Sequence, residues 1–164
     1  MDHGPGPYAE FEAFVAGAAG RLLRVAILLT AEPATPAAEA SATAGAPAAR
    51  ALLATALART YANWRRLRGD DPYDHTRQEL CAAFAHTGRR HHGGSGVLGR
   101  LTPLERLVVV LRLYEGVAEE VTAAQLGLTP ERVRTLCDRA VARLRAAPAA
   151  TTGSGPDPRH REAA

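Results

Sequence analysis

The residues with the clearest chemistry in this chain are arginines near its C-terminus. The stretch PERVRTLCDRAVARLR, residues 130–145, intersperses guanidinium side chains with apolar ones. A guanidinium can donate two hydrogen bonds to the paired acceptors of guanine in a DNA major groove, and neighbouring guanidiniums can hold phosphates. The pattern therefore indicates a DNA-reading helix, and a merely solvated helix face is the alternative.

Catalytic chemistry has no comparable pattern. The sequence contains no carboxylate pair, Ser/His/Asp arrangement or phosphate-binding loop at a usable spacing. Cys81, His86, His91 and His92 could be considered as metal ligands, but part of this set falls in a glycine-rich stretch that lacks the fixed geometry of a zinc site. We therefore expect a protein that is not an enzyme, with no catalytic residue, metal, cofactor or small-molecule substrate.

A predicted helix-turn-helix over residues 119–145 would position the arginines. Thr129 can cap its second helix through the hydroxyl, and Pro130 suits the first helical position. Gly127 can take the left-handed conformation that ends the first helix, which leaves a connection of about three or four residues. The apolar face of the second helix follows a spacing of three and four through Val133, Leu136, Cys137, Ala140, Val141 and Leu144.

Another helix is expected just before this pair. Thr102 and Glu105 can form a capping box, with Pro103 at the first helical position. The predicted buried stripe of this helix is Leu104, Leu107, Val108, Leu111 and Tyr114. The residues expected to pack beneath the arginine-rich helix are Val117, Val121, Ala124 and Leu126.

Three more helices are predicted in the N-terminal half. The first has a buried stripe of Phe11, Phe14, Val15, Ala18, Leu22, Val25 and Leu29. A low-complexity insertion rich in Ala and Pro over residues 31–49 separates it from a second helix at about 47–68. Asp71 and Pro72 open a third, in which Thr76, Leu80, Ala83 and Phe84 face inward.

The predicted fold class is all-α, with two small helical domains joined by a flexible linker. We expect the first domain over residues 1–92, a glycine-rich linker over 93–100 and the helix-turn-helix domain over 101–146. A disordered tail is predicted over residues 147–164, which have no hydrophobic period.

Composition sets the broad class of the protein. A net charge of +3 is only mildly favourable for a polyanionic partner, so any DNA-binding surface must be local. Both cysteines lie in predicted helices, which favours two reduced thiols and a cytoplasmic protein. The longest apolar run, residues 25–29, is too short to span a bilayer, so we expect no membrane association.

These pieces resemble the extracytoplasmic-function sigma factors, bacterial proteins whose two helical domains direct RNA polymerase to promoters. Residues 101–145, LTPLERLVVVLRLYEGVAEEVTAAQLGLTPERVRTLCDRAVARLR, look like region 4 of that family, which reads the upstream promoter element. FEAFVAGAAGRLLRVAILLT and ALARTYANWRRL look like region 2, which binds polymerase and opens DNA. The resemblance implies DNA contacts by Thr129, Arg132, Arg134, Thr135, Arg139 and Arg143. It implies polymerase contacts by Arg59, Trp64, Arg65 and Arg66.

Region 2 departs from the family pattern in two places. The acidic, glutamine-bearing segment that holds polymerase in the family is replaced here by residues 50–55, RALLAT. The next helix offers Ala82, Ala83, Ala85 and Gly88 where the family tends to place side chains that trap a promoter base, and an alanine cannot stack on a base.

We therefore expect a sigma-factor-like transcription initiation factor. The expected partners are promoter DNA, RNA polymerase core and an anti-sigma factor. Two alternatives stay open, and both follow from the departures in region 2. One is a helix-turn-helix regulator that has lost polymerase binding, and the other is an interaction module for an anti-sigma-type partner.

Overall fold

The computed structural model of the chain describes residues 6–33, 45–88 and 93–146. Within these ranges the chain forms helices and turns and no strand, which confirms the all-α fold class. The helices are α1 Pro7–Thr30, α2 Pro47–Asn63, α3 Pro72–Thr87, α4 Pro103–Val109, α5 Glu119–Leu126 and α6 Pro130–Arg145. Most of the predicted insertion and the whole of the predicted tail lie outside the described residues.

Local sequence signals mark the beginnings of most of these helices. All except α5 begin with a proline, whose missing N–H would be unpaired at that position in any residue. Asp71 caps α3 by accepting a hydrogen bond from the Tyr73 amide. Thr102 and Glu105 form the predicted capping box at the start of α4. The second helix is shorter than predicted, because after Asn63 the chain tightens into a 3₁₀ turn, Trp64–Arg66.

The second half of α1 lies at the centre of the core. Leu22, Val25 and Leu29 are completely buried, as predicted, whereas Phe11 and Phe14 at the beginning of the helix are only half-buried. By length and composition alone, α1 is also long and apolar enough to cross a membrane, because the apolar run of residues 25–29 is only one part of this helix. Its buried residues pack against α2, α3 and α4, so we interpret it as a core helix.

One hydrophobic core connects the two halves of the chain. Leu80 and Phe84 of α3 are completely buried, and they belong to the same cluster as Leu107 of α4 and Leu111 in the turn that follows it. Two independent domains on a flexible linker would each enclose a separate core. In this structure the halves are packed together instead.

The segment predicted as a flexible linker wraps around the side chain of Arg106, which is completely buried. The guanidinium of Arg106 donates to five backbone carbonyls at 2.6–3.3 Å, those of Leu29, Gly93, Leu98, Gly99 and Leu101. Four of these carbonyls belong to residues 93–101, and the fifth belongs to α1. Residues 93–100 therefore form a series of turns that joins the halves, which differs from the flexible connection expected from their composition.

Close backbone packing is the physical reason for glycine in these turns. The amide of Gly96 donates to the carbonyl of Ala31 at 2.8 Å. A Cβ atom at position 96 would stand 2.5 Å from the Glu32 carbonyl oxygen, and one at Gly94 would stand 2.6 Å from the Ala31 oxygen. Both distances are far below van der Waals contact, so the glycines allow two backbone segments to approach each other.

We expect Gly96→Ala to lower the free energy of unfolding by about 1–3 kcal/mol, because the added methyl group would meet backbone atoms that cannot move independently. Gly20→Ala is the matched control, since a Cβ atom there would have no neighbour within 4 Å. In the middle of α1 that substitution should raise stability by about 0.5–1 kcal/mol. Urea unfolding measures both values, and equal effects of the two substitutions would contradict the packed linker.

A second set of polar contacts joins the halves at Glu115. After α4 the chain makes a single π-helical turn, Val110–Tyr114, and the carboxylate that follows it is completely buried. Glu115 accepts hydrogen bonds from Arg21 at 3.1 Å, from the Tyr73 hydroxyl at 3.0 Å and from Arg77 at 3.3 Å. Burial and the neighbouring carboxylate raise the pKa of Tyr73, so its hydroxyl keeps the proton that it donates.

Candidate nucleic-acid interface

Helices α5 and α6 meet at the predicted tight turn. Three residues separate Leu126 at the end of α5 from Pro130 at the start of α6. Gly127 has φ 66° and ψ 35°, the left-handed conformation expected from its position, and the amide of Leu128 donates to the Ala123 carbonyl at 2.9 Å. These features confirm the helix-turn-helix.

A small apolar cluster fixes the orientation of α6. Val108 of α4, Ala123 of α5, and Val133 and Leu136 of α6 are each at most 2% exposed. The predicted inner face of α6 is therefore confirmed at its centre. The predicted inner face of α5 was wrong, because Val121 is 52% exposed. Thr122 and Ala123 are buried instead, so the helix is rotated slightly about its axis relative to the prediction.

The arginines of α6 lie along the borders of the helix with its neighbours. Arg132, Arg139 and Arg143 are seven and four residues apart and so follow one edge of the helix. Arg139 donates to Glu105 at 2.9 Å and Arg143 donates to the other oxygen of the same carboxylate at 2.8 Å. Two of the predicted DNA contacts thus tie α6 to α4, while 47% and 45% of their side chains stay exposed.

Glu105 takes part in the capping box of α4 and also accepts hydrogen bonds from Arg139 and Arg143. Its side chain is completely buried, and burial alone would raise the pKa of the carboxyl. Hydrogen bonds from Thr102, followed by those from Arg139 and Arg143, outweigh burial and hold the pKa below its ordinary value. The carboxylate is therefore ionised at neutral pH, and it partly neutralises the edge of α6.

Arg134 lies on the other edge of α6 and pairs with α5. Its Nη2 is 2.6 Å from one carboxylate oxygen of Glu119, and its Nε is 3.3 Å from the other. The arginine side chain is 65% exposed and that of the glutamate 14%. This predicted DNA contact is therefore exposed to solvent, and Glu119 holds one side of its guanidinium.

Thr129, Thr135 and Arg132 complete the predicted DNA-binding set. The Thr129 hydroxyl accepts the amide hydrogen of Arg132 at 3.3 Å, which confirms the cap, and the Thr135 hydroxyl donates to the Glu131 carbonyl at 2.9 Å. Arg132 is exposed and forms no ion pair within the described part of the chain. Of the four predicted arginines, it presents the most available charge.

Three of the four predicted polymerase contacts, Trp64, Arg65 and Arg66, lie together in the 3₁₀ turn that follows α2. The ring of Trp64 packs on Phe11 and Phe14, with centroids 5.1 and 5.4 Å apart. Arg65 and Arg66 are exposed in the 3₁₀ turn beside the Trp64 ring. Arg59 stands apart from them, because it pairs with Glu79 of α3 at 3.3 Å.

The candidate metal ligands do not come together in the parts of the chain that the structure describes. Among residues 6–33, 45–88 and 93–146, no three His, Cys, Asp or Glu side chains are placed to hold a metal ion. Cys81 is buried in the core, and this burial raises the pKa of its thiol to about 12. His91 and His92 lie outside the described residues.

The sequence of the helix-turn-helix half matches a known family. The family described as "Sigma-70, region 4" matches residues 97–146. An RNA polymerase sigma-E factor of Streptomyces coelicolor is 31% identical, over 85% of this chain and 86% of that protein. A sigma-E factor of Streptomyces avermitilis is 32% identical over the same shares. This chain belongs to the extracytoplasmic-function sigma factors.

The likeness to other sigma factors extends beyond region 4. Because the two relatives cover 85% of the chain, the similarity reaches well into the N-terminal half. A sigma-E factor of Streptomyces antibioticus is 35% identical over 59% of this chain and 68% of that protein. No solved structure matches the chain significantly.

Sequence reasoning missed four residues that organise this sigma factor. Arg106 and Glu115 join the halves, while Glu105 and Glu119 hold the arginines of α6. Glu105 was recognised only for its role in the capping box. The spacing of the other three carries no local signal, because Glu115 and Glu119 bind side chains that are distant in the sequence and Arg106 binds backbone carbonyls, which no residue type marks.

Proposed function

We propose that the protein is a transcription initiation factor that binds promoter DNA through α6 and directs RNA polymerase core. The observation that carries this proposal is the exposed beginning of α6, where Arg132 and Arg134 project from a capped helix fixed on a helix-turn-helix. Region 4 of the sigma-70 family supports DNA as the partner. The activity needs no catalytic residue in this chain, and the protein acts in the cytoplasm.

The surroundings of the predicted contacts suggest a division of roles between them. Arg132 and Arg134 lie in the first turns of α6, the part of a recognition helix that contacts base edges. Arg139 and Arg143 lie further along the helix and share a carboxylate with α4. Because two guanidiniums share this one carboxylate, net positive charge remains for phosphates, so we assign both arginines to positioning the helix on the DNA backbone.

We expect Arg132→Ala to weaken duplex binding by about 1–3 kcal/mol, without a comparable loss of stability, because this side chain has no ion pair to break. Arg24→Ala, which removes an exposed arginine from α1, is the matched control and should change affinity little. Fluorescence anisotropy with a selected duplex and with substituted duplexes measures the effect. Equal affinity of the wild type and Arg132→Ala for every duplex would remove Arg132 from the interface.

The end of α2 is our proposed polymerase contact. Trp64, Arg65 and Arg66 combine an aromatic ring with two exposed positive charges. Trp64 and Arg65 also line a pocket together with Pro7, Glu10 and Leu67. Arg59 contributes less in this proposal, because Glu79 already neutralises it. A pull-down with RNA polymerase core followed by run-off transcription tests the proposal. No core binding at micromolar concentration would contradict it.

A helix-turn-helix regulator without polymerase binding is the second candidate. Two observations favour it. Residues 50–55 of α2 contain no acidic side chain, and the two halves are packed on one core rather than free to separate. This candidate predicts duplex binding that is the same with and without core polymerase.

A binding surface for a partner such as an anti-sigma factor is a third element of the proposal. Leu113 and Tyr114 are 59% and 41% exposed, and they border an apolar depression together with Leu28 and Val109. Exposed apolar groups of this size commonly mark protein contacts. Co-purification of a partner that is lost when Leu113 is replaced by Ser would support this element.

A further inference from the structure

Glu119 and Arg134 form the only ion pair between the two helices of the helix-turn-helix in the described residues. Both carboxylate oxygens take part, one with Nη2 at 2.6 Å and the other with Nε at 3.3 Å. The carboxylate belongs to the first turn of α5 and is mostly covered, whereas the guanidinium extends into solvent. The pair therefore restricts the plane and direction of an exposed side chain.

The N–H groups that remain on Arg134 define what it can bind. A guanidinium carries five N–H donors in one plane. Glu119 occupies the side that Nε and Nη2 share, which leaves the outer edge formed by Nη1 and the second N–H of Nη2. Two parallel donors on one edge match the O6 and N7 acceptors of guanine.

The charge of Glu119 distinguishes a base edge from a phosphate. A phosphate bound to Arg134 would be repelled by the nearby carboxylate and would compete with it for the same guanidinium. A guanine edge carries no net charge, so it can bind the outer edge while the ion pair stays in place. The carboxylate thus disfavours the sequence-independent contact more than the sequence-specific one.

We propose that Glu119 is a positioning residue that reserves Arg134 for reading the guanine of one G·C base pair. The proposal rests on the proposed binding of duplex DNA by α6. It adds a determinant on α5, outside the predicted DNA contacts, that sets which base α6 prefers at one position.

Glu120 offers a matched control on the same turn of α5. It is exposed, carries the same charge and forms no ion pair within the described residues. Both glutamates stand near the N-terminus of the helix, where negative charge is favourable. If Glu119 only stabilised α5, Glu119→Gln and Glu120→Gln would have equal effects on DNA binding.

The experiment begins with duplexes selected from a random DNA pool by the wild-type full chain. Affinity for the selected duplex and for its single-pair substitutions is then measured over a range of salt concentrations for the wild type, Glu119→Gln and Glu120→Gln. We expect Glu119→Gln to reduce the preference for one G·C pair over the other base pairs at that position by about tenfold. For this variant, the slope of the logarithm of the binding constant against the logarithm of the salt concentration should become steeper by about one, because Arg134 is then free to bind a phosphate. Glu120→Gln should retain the wild-type preference.

Arg134→Lys keeps the charge but removes the planar fork, so it provides a second test. It should lose the preference at the same base pair, and Glu119→Gln should add nothing in its background. Two outcomes would overturn this inference alone. In one, Glu119→Gln and Glu120→Gln have the same base preference. In the other, Glu119→Gln loses the same affinity for every duplex. Failure of the wild type to select any duplex would overturn the proposed DNA binding and this inference together.

Discussion

Arg106→Met is expected to lower the free energy of unfolding by about 3–5 kcal/mol, the largest effect of any single substitution considered for this chain. The methionine would fill much of the space but donate nothing to the five carbonyls that Arg106 now satisfies. Each buried acceptor left without a donor costs about 1–3 kcal/mol, with some relief from water or small shifts. Urea unfolding followed by circular dichroism measures the change.

Arg100→Met is the control for this prediction. Arg100 is exposed in the same series of turns, so its substitution removes an equal charge without disturbing buried carbonyls. We expect it to change stability by less than about 0.5 kcal/mol. If Arg106→Met and Arg100→Met unfold at the same urea concentration, the turns are not held by the guanidinium and residues 93–100 behave as a flexible linker.

Glu115→Ala is expected to have the second largest effect, a loss of about 3 kcal/mol. The substitution would leave the partly buried hydroxyl of Tyr73 without its acceptor. It would also remove one of the two acidic partners of Arg77, which keeps Asp74 at 3.0 Å. Because these donors belong to the N-terminal half, the loss should fall on the contact between the halves. The halves should then unfold separately.

Two probes can detect this separation. Trp64 is the single tryptophan of the chain and reports on the N-terminal half, and a label on Cys137 reports on α6. We expect the two unfolding curves to coincide in the wild type and in Glu120→Ala, and to differ in Glu115→Ala. Separate curves in the wild type would contradict the shared core.

The local features of the fold were predictable because their signals are short in sequence. A proline at the first helical position, the Thr102 and Glu105 capping box and the left-handed Gly127 each depend on a few consecutive residues. The inner face of α6 follows from the helical period in the same way. These signals were sufficient to locate the helix-turn-helix and its arginines.

The pairing of charges could not be predicted in this way. Glu105 lies 34 and 38 positions from the two arginines that it holds, and packing of α4 against α6 decides that they meet. From the sequence, the arginines of α6 therefore indicated more unpaired positive charge than the helix has, since three of them form ion pairs with glutamates. For the same reason, the glycines of residues 93–100 indicated flexibility, although in the structure they allow close contact around a buried arginine.

Selection of duplexes from a random DNA pool, with and without RNA polymerase core, tests whether α6 reads promoter DNA and whether the chain brings polymerase to it. We expect the wild-type chain to enrich a common sequence and Arg132→Ala to enrich it less. We also expect core polymerase joined to the chain to transcribe from templates that carry this sequence. Enrichment without polymerase binding would favour the regulator. No enriched sequence under either condition would contradict the reading of DNA by α6.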